Sequence, residues 1–459
     1  MIWVENSQSD RRVVSRMGHN FSIFIICYPH LIPPGLILFP IFIKKTLTMK
    51  RLLTITTTII LVSLFTQAIA QTITQWRGPN RDGKYNETQL LKQWPETGPQ
   101  LLWSTETLGA GFAAPVVTAD KLFVNGEVYG TSHLFCFDLK GKLLWKSSNG
   151  KEFTGEGYSA NFPGARPSPT VVGDKVYTSS GLGRMACFEI ATGKEKWAVD
   201  MVKDLKGDMN EFGYAESFVT DDKLLYCYPG GKANNIAALD RLTGKTVWTS
   251  KALGDTTHFC SPILINLPSR KIYVTVSRHW LFGVDCKNGE LLWKYPVAFK
   301  YDGDHVNTPV YEAPYLYWVS GDENSCGAVK LEITSDGKSV KEIWTNPQIR
   351  NSMGGLIVIN GKLFTTTENK NLNQLDPANG TVAYKIKSPY GNLIYADSKF
   401  IVYGNNGDVS LFNYEKGVLT PGGTFKIDKG SKEHFAHPVL ANGVLYIRHG
   451  EALMAYKVK

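Results

Sequence analysis

The chain has 459 residues, 43% hydrophobic, 12% aromatic and 20% charged, with 43 Gly. That composition is globular, and abundant Gly and aromatics suit many short strands joined by tight turns. The formal charge of +9 overstates the folded part, because residues 1–70 hold seven Lys/Arg and only two acids. Residues 71–459 are then near +4, a balance that argues neither for nor against a nucleic-acid surface; no nucleic-acid partner is expected.

Met49-Lys50-Arg51 is a basic n-region, Leu52 to Phe65 an apolar h-region, and Ala68-Ile69-Ala70 an A-x-A cleavage site. Residues 49–70 are therefore expected to be a signal peptide, with Gln71 the mature start. The h-region is short for a bilayer span, which needs ~20 apolar residues. Residues 1–48 read as translation from a start placed upstream of Met49. Their apolar run, Phe21 to Ile43, is broken by Pro29, Pro33, Pro34 and Pro40, which argues against a transmembrane anchor. No Cys follows Ala70, so a lipid-anchored N-terminus is not expected. An exported monomer, periplasmic or extracellular, is the expectation.

Trp76-Arg77-Gly78-Pro79-Asn80-Arg81-Asp82-Gly83 opens a turn-rich lead-in over 71–100. Leu101-Leu102-Trp103-Ser104-Thr105 then resembles the last strand of a repeat with no earlier strands before it. The repeat itself is clearest at Leu239-Asp240-Arg241-Leu242-Thr243-Gly244-Lys245, which runs to Trp248. It recurs at Asp138 to Trp145, Glu189 to Trp197 and Asp285 to Trp293, with looser copies ending at Trp344 and Tyr384. A period of ~40–50 residues with four short strands per unit is the signature of a β-propeller.

First strands are expected near Pro115, Pro169, Phe218, Pro262, Pro309, Leu356, Leu393 and Pro438. Proline suits the head of a strand, where its missing N–H is not needed. The fold predicted is all-β: an eight-bladed propeller over 101–459, with 101–105 completing the last blade and removing an open sheet edge. Blade seven is the weakest copy, with Lys416-Gly417 for Thr-Gly and Phe425 in place of Trp. The recurring Trp is expected to fill the wedge between blades. The six Cys after residue 70 permit fifteen pairings; Cys136 and Cys187 share one repeat position and read as small buried hydrophobes.

The pattern Leu/Phe-Asp-x-x-Thr-Gly-Lys-x-x-Trp behind Pro-headed inner strands resembles the repeat of the quinoprotein (PQQ-type) propellers. Exported BamB-like proteins share it. Trp76-Arg77-Gly78-Pro79 and Tyr228-Pro229-Gly230-Gly231-Lys232 resemble an exported PQQ-like group. The resemblance covers about residues 76–459 and implies the fold, while members with and without PQQ share it.

Ligands of propellers usually meet the channel mouth, lined by the loops leading into the first strands. Those loops carry Arg166, Glu216, His258, Asp304, His305, Asn307, Arg350, Asn351, Ser352, His434 and His437. Polar groups converging from several blades suit a polar or anionic ligand. A metal site from His258, His305 and His437 requires the blades to bring the three together. No Gly-x-Ser-x-Gly, His-Glu-x-x-His or phosphate-loop pattern occurs.

The resemblance implies, as its first reading, a non-catalytic exported scaffold binding envelope proteins or a small polar ligand. The alternative it implies is a PQQ- and Ca²⁺-dependent dehydrogenase of alcohols or sugars. Glu216, Asn307 and Asp304 would then supply Ca²⁺ oxygens. The adjacent Cys pair found in many such enzymes is absent. No cofactor is assigned; PQQ with Ca²⁺ belongs to the alternative reading. A weaker alternative is a carbohydrate binder using Trp280, Tyr301 and Trp318 as exposed aromatics.

Overall fold

The computed structural model describes residues 73–297, 305–321 and 325–459, and places two strands, Trp3–Val4 and Val13–Val14, in an antiparallel pair. The signal peptide expected at 49–70 and the apolar run 21–43 lie outside the described residues. The chain divides into two units, 1–69 and 70–459.

The second unit is the eight-bladed propeller. Each blade is a four-stranded antiparallel meander. The blades cover 116–151, 170–200, 219–250, 263–296, 310–346, 357–387 and 391–426. The eighth combines 439–457 with Gln100–Thr105. In that last blade Ala455 pairs with Trp103 and Lys457 with Gln100, so the ring closes as the sequence implies. Closure by the chain's own early strand leaves no blade with an open flank toward its neighbour. Among the described residues the only helical element is a short 3₁₀ turn, Gly157–Asn161.

Burial explains why these strands form. First, second and third strands are almost wholly buried, since each sheet packs on a neighbour through both faces. The outermost strands alternate between exposed and half-buried residues. In all eight blades a bulge interrupts the pairing of the third and outermost strands. In seven of them it falls beside the residue facing the motif aromatic. A bulge bends its strand and re-aims the next side chain; here it turns the aromatic toward the following blade.

There the Trp meets the next copy of the motif. The Trp103, Trp145, Trp197, Trp248 and Trp344 indoles donate to the carbonyls of Leu139, Ile190, Arg241, Cys286 and Pro377, all 2.9–3.1 Å away. Each ring also covers the turn glycine of that next blade. At Gly244 (φ +72°), a Cβ would stand 2.7 Å from the Trp197 ring. The glycine is required twice over, by its left-handed backbone and by the ring on top of it. Asp240 holds the same turn, its Oδ1 accepting from the N–H groups of Leu242 and Thr243.

Three interfaces depart from the rule. Between blades six and seven the aromatic is Tyr384, whose hydroxyl donates to Leu419 O, and the turn Gly417 meets only Lys362 Nζ. Blade five has a longer turn, and Gly337 meets Ile272, Leu267 and Arg270, not an indole; the Trp293 N–H is left without a partner. Blade seven faces blade eight, whose third and outermost strands come from opposite ends of the propeller and share no turn. Gly98 stands in for the missing turn glycine, packed beneath Phe425, which itself touches Trp94. The irregular copy is thus the blade that meets the seam.

The lead-in does more than join the ring. Ile73–Thr74 adds a fifth strand inside blade two, against Thr170–Val172. The following residues cross the channel. The Arg81 guanidinium donates to Ser217 O and Phe218 O of blade three. That of Arg77 donates to Gly354 O and Leu356 O of blade six. Tyr85 and Gly83 pair with Tyr395 of blade seven, and Glu87 accepts from the N–H groups of Asn442 and Gly443 in blade eight. Both arginines are fully buried, and burial pushes each down to about 10. The six described cysteines are all buried free thiols.

Candidate functional site at the channel mouth

Above this crossing segment lies a cavity of about 500 Å³. Its wall comes from one residue in each mouth loop: Phe112, Phe162, Phe212, Phe259, Val306, Met353 and Phe435. Most of these follow one another at intervals of 47 or 50 residues, so they are a repeat position in their own right. Five of the seven are Phe. Their rings form a continuous arc: Phe112 touches Phe435 at 5.3 Å between centroids, and Phe435 stacks on Phe162 at 6.4 Å. Phe162 then meets Phe212 at 6.1 Å, and Phe212 meets Phe259 at 5.7 Å. Tyr158 lies edge-on against Phe162 and Phe212 and is 72% exposed; Phe435 is 42% exposed. Trp76, from the crossing segment, lines the cavity as well.

Polar groups sit among these rings. Ser168, Ser217 and Ser261, just ahead of three successive first strands, line the cavity and are nine-tenths buried or more. The Ser217 hydroxyl accepts from Ser168 N–H and the Ser261 hydroxyl from Ser217 N–H. Arg166 is half-buried, its guanidinium over the Phe153 ring at 4.9 Å and near Phe112 at 5.8 Å. It donates to Gly164 O at 3.1 Å and to Phe162 O. Burial lowers its pKa to about 10, with Glu152 opposing.

Of the residues expected at the mouth, Arg166, Ser352 and His437 line this cavity. Ser352 shares a 2.6 Å bond with the Tyr390 hydroxyl. His437 is edge-on to Trp76 at 4.8 Å, and its Nδ1 has no hydrogen-bond partner. Burial, then Arg77, pushes its pKa down to about 3, so the ring is neutral. Arg350 is half-buried near Tyr390.

The other candidates are structural in their contacts. Glu216 is buried, accepting from Tyr228 N–H at 2.9 Å and from the Tyr273 hydroxyl at 2.8 Å. Burial raises its pKa to about 7, against those two bonds and Arg81. The Asn307 amide donates to Val319 O and Asn351 O. Asn351 in turn holds its own loop, accepting from the N–H groups of Met353 and Gly354. His434 stacks on His449 at 3.7 Å and bonds the Tyr403 hydroxyl. Asp304 lies outside the described residues.

His258 and His305 do come together, with rings 5.5 Å apart and His305 N–H donating to His258 Nδ1. His258 lines a second cavity of about 350 Å³ with Asp208, Glu211 and Arg278. His437 is in the first cavity. Among the described residues no group of three His, Cys, Asp or Glu could hold a metal ion. The aromatics expected to be exposed are not so: Trp318 is fully buried, its indole donating to Asn307 O. Trp280 is half-buried beneath the Lys294 ammonium. Tyr301 lies outside the described residues.

The sequence profile described as outer membrane protein assembly factor BamB matches residues 130–386. The chain belongs to that family. Among solved structures, BamB from Moraxella catarrhalis is similar at a TM-score of 0.56 and 13% identity, covering 78% of this chain and 98% of that one. The computationally designed protein Ika8 is similar at 0.52 and 11%, covering 78% and 100%. A europium-containing methanol dehydrogenase aligns at 0.44 and 13%, covering 85% and 92%. At these identities the likenesses to BamB and Ika8 show the fold. No curated protein matches the chain by sequence.

Members of the wider PQQ-type repeat can carry a quinone on a calcium ion, and the donor set here can be tested against that group. A hard cation needs several oxygens, carboxylates foremost. No described residue lining the mouth cavity is a carboxylate. Both oxygens of Glu216 are already engaged, by Tyr228 N–H and the Tyr273 hydroxyl. The described residues lining the mouth cavity do not fit a calcium-held quinone.

Proposed function

We propose that the protein is an exported, non-catalytic binding module of the BamB type, acting in assembly of envelope proteins. Its recognition face is the channel mouth. The observation that carries this reading is the arc of mouth aromatics, partly exposed and drawn from five blades. Solvent-exposed apolar clusters framed by polar groups mark binding surfaces. A ring of blades gives such a face a rigid frame, because each mouth loop is anchored at a strand end. The family to which the chain belongs is described by an assembly role, and the reading extends that role to this chain.

The test is a titration of the full chain with PQQ and Ca²⁺, following tryptophan fluorescence and quinone absorbance together. Trp76 in the cavity lining would report on occupancy. The binding-module reading expects no saturable change. Saturable binding at micromolar concentration would overturn it in favour of a quinoprotein dehydrogenase.

A further inference from the structure

The mouth cavity combines three features that together select a ligand chemistry. Its body is apolar: phenyl rings, Val306 and Met353 supply most of the wall. Its hydrogen-bonding groups include three serine hydroxyls beside the unpartnered Nδ1 of His437. The Ser217 and Ser261 hydroxyls each accept one backbone N–H, so each keeps its own proton to give. The Ser168 hydroxyl lines the cavity beside them, on a residue only 2% exposed. Its charge is of one sign. Among the described lining residues Arg166 is the single ionised group, since His437 is held neutral by burial.

The second cavity provides the contrast. There Asp208 and Glu211 line the same wall as Arg278, so carboxylates outnumber the cation. At the mouth, Glu152 acts on Arg166 from outside the lining and spends one carboxylate oxygen on the N–H groups of Phe153 and Gly181.

We propose that the mouth cavity binds an amphiphilic monoanion: a compact aromatic or acyl body carrying one carboxylate or sulfonate. The body lies along the phenyl arc. The head group takes the hydroxyl protons of Ser168, Ser217 and Ser261 and the field of Arg166. An ionised acceptor arriving at these hydroxyls makes charge-assisted hydrogen bonds, which are stronger than neutral ones. Arg166 is held between two rings and two carbonyls, so little side-chain entropy is lost when it meets the head group. The volume, about 500 Å³, is within the range of pockets that take small molecules. The inference deepens the binding-module reading and rests on it.

A matched pair of probes tests it on the full chain. 8-Anilinonaphthalene-1-sulfonate carries the apolar body and one negative charge; N-phenyl-1-naphthylamine carries the same rings without the charge. Fluorescence titration is expected to give one sulfonate site per chain, with the neutral probe about tenfold weaker. Arg166→Gln should bring the two probes level. Phe212→Ala should weaken both alike. Ser168→Ala should weaken the sulfonate about threefold and leave the melting midpoint unchanged, which keeps the test decisive if the arginine variant fails to fold. Equal binding of the two probes, several sulfonate sites per chain, or sulfonate binding indifferent to Ser168→Ala and Phe212→Ala would overturn the proposal. Saturable PQQ binding would instead bring down the binding-module reading. Absence of both PQQ and sulfonate binding would remove this inference alone.

Discussion

At the rim of the propeller, Trp103, Trp145, Trp197, Trp248 and Trp344 each cover a neighbour's turn glycine and donate to a neighbour's carbonyl. At the mouth, Phe112, Phe162, Phe212 and Phe259 also recur blade by blade, but they touch one another across blades and leave a cavity beneath. The rim aromatics satisfy their polar atoms and fill space; the mouth aromatics fill it only partly. One repeat therefore carries two aromatic positions with different contacts: rings that stitch blades together at the rim, and rings that frame the cavity at the mouth, where we propose recognition. Packing that is complete stabilises. A mostly apolar wall left partly unfilled around a few placed polar groups is what a small ligand fits.

The largest test of the contrast removes both regions at once. Deleting 76–105 takes away the outermost strand of blade eight, Gly98 at the seam and the segment that crosses the channel. The melting midpoint should fall by more than ~10 °C, since several kcal/mol of ring closure are lost. An unchanged midpoint would sink the closure account.

A rim glycine comes next. Gly244→Ala should cost about 2–4 kcal/mol, from a left-handed backbone and a Cβ driven into the Trp197 ring. Gly361→Ala shares the left-handed backbone (φ +74°) but meets no atom within 4 Å. It should cost about 1–2 kcal/mol, the backbone part alone. Denaturant unfolding of the two variants separates the ring contact from the turn; equal losses would mean that the indole is a bystander.

The mouth predicts a pH effect. His437 is held to about 3 in the folded protein, whereas the unfolded chain should titrate near 6.5. Between those values the unfolded state binds more protons, so stability rises with pH and is lost on acidification. From pH 7 to 5 this one ring costs about 2 kcal/mol. Glu216 works in the opposite sense. Its folded pKa is raised to about 7, so it favours folding at low pH and loses that contribution as pH rises from about 4.5 to 7. His437→Asn should flatten the acid limb of a stability–pH profile, and Glu216→Gln should steepen it. Profiles that superimpose with wild type would contradict both assignments.

The smallest effect is again at the rim. Trp197→Phe removes an indole N–H bonded to Arg241 O, whereas Trp293→Phe removes one with no partner. The first should cost about 1 kcal/mol more than the second in matched melts.

The rim was readable because its rule is local. Asp, Thr-Gly and Trp fall at fixed offsets along one chain segment, and each residue type has one evident reason to be there. The seam was readable for the same reason: Leu101-Leu102-Trp103 is a last strand without its first three. The mouth was less so. Its loops drew attention to Glu216, Asn307 and Asn351, polar residues that turn out to hold loops and strand ends together through hydrogen bonds within and between blades. The recurrent Phe was not singled out in sequence, because one apolar residue per loop carries no polar signal; its spacing of 47 or 50 residues is the mark it leaves. Arg77 and Arg81 could not be placed either, since their partners lie 277 and 137 residues away and the register of a channel-crossing segment is set by the whole ring.

Site-specific photo-cross-linking tests the central claim most directly. A photoreactive residue at Tyr158 on the mouth is compared, in the intact envelope, with one at Val247 on the outer strand of blade three; both positions are exposed. The account predicts a discrete adduct with an envelope protein from position 158, competed by 8-anilinonaphthalene-1-sulfonate, and none from 247. Adducts from 247 with a silent 158 would place recognition at the rim and contradict it.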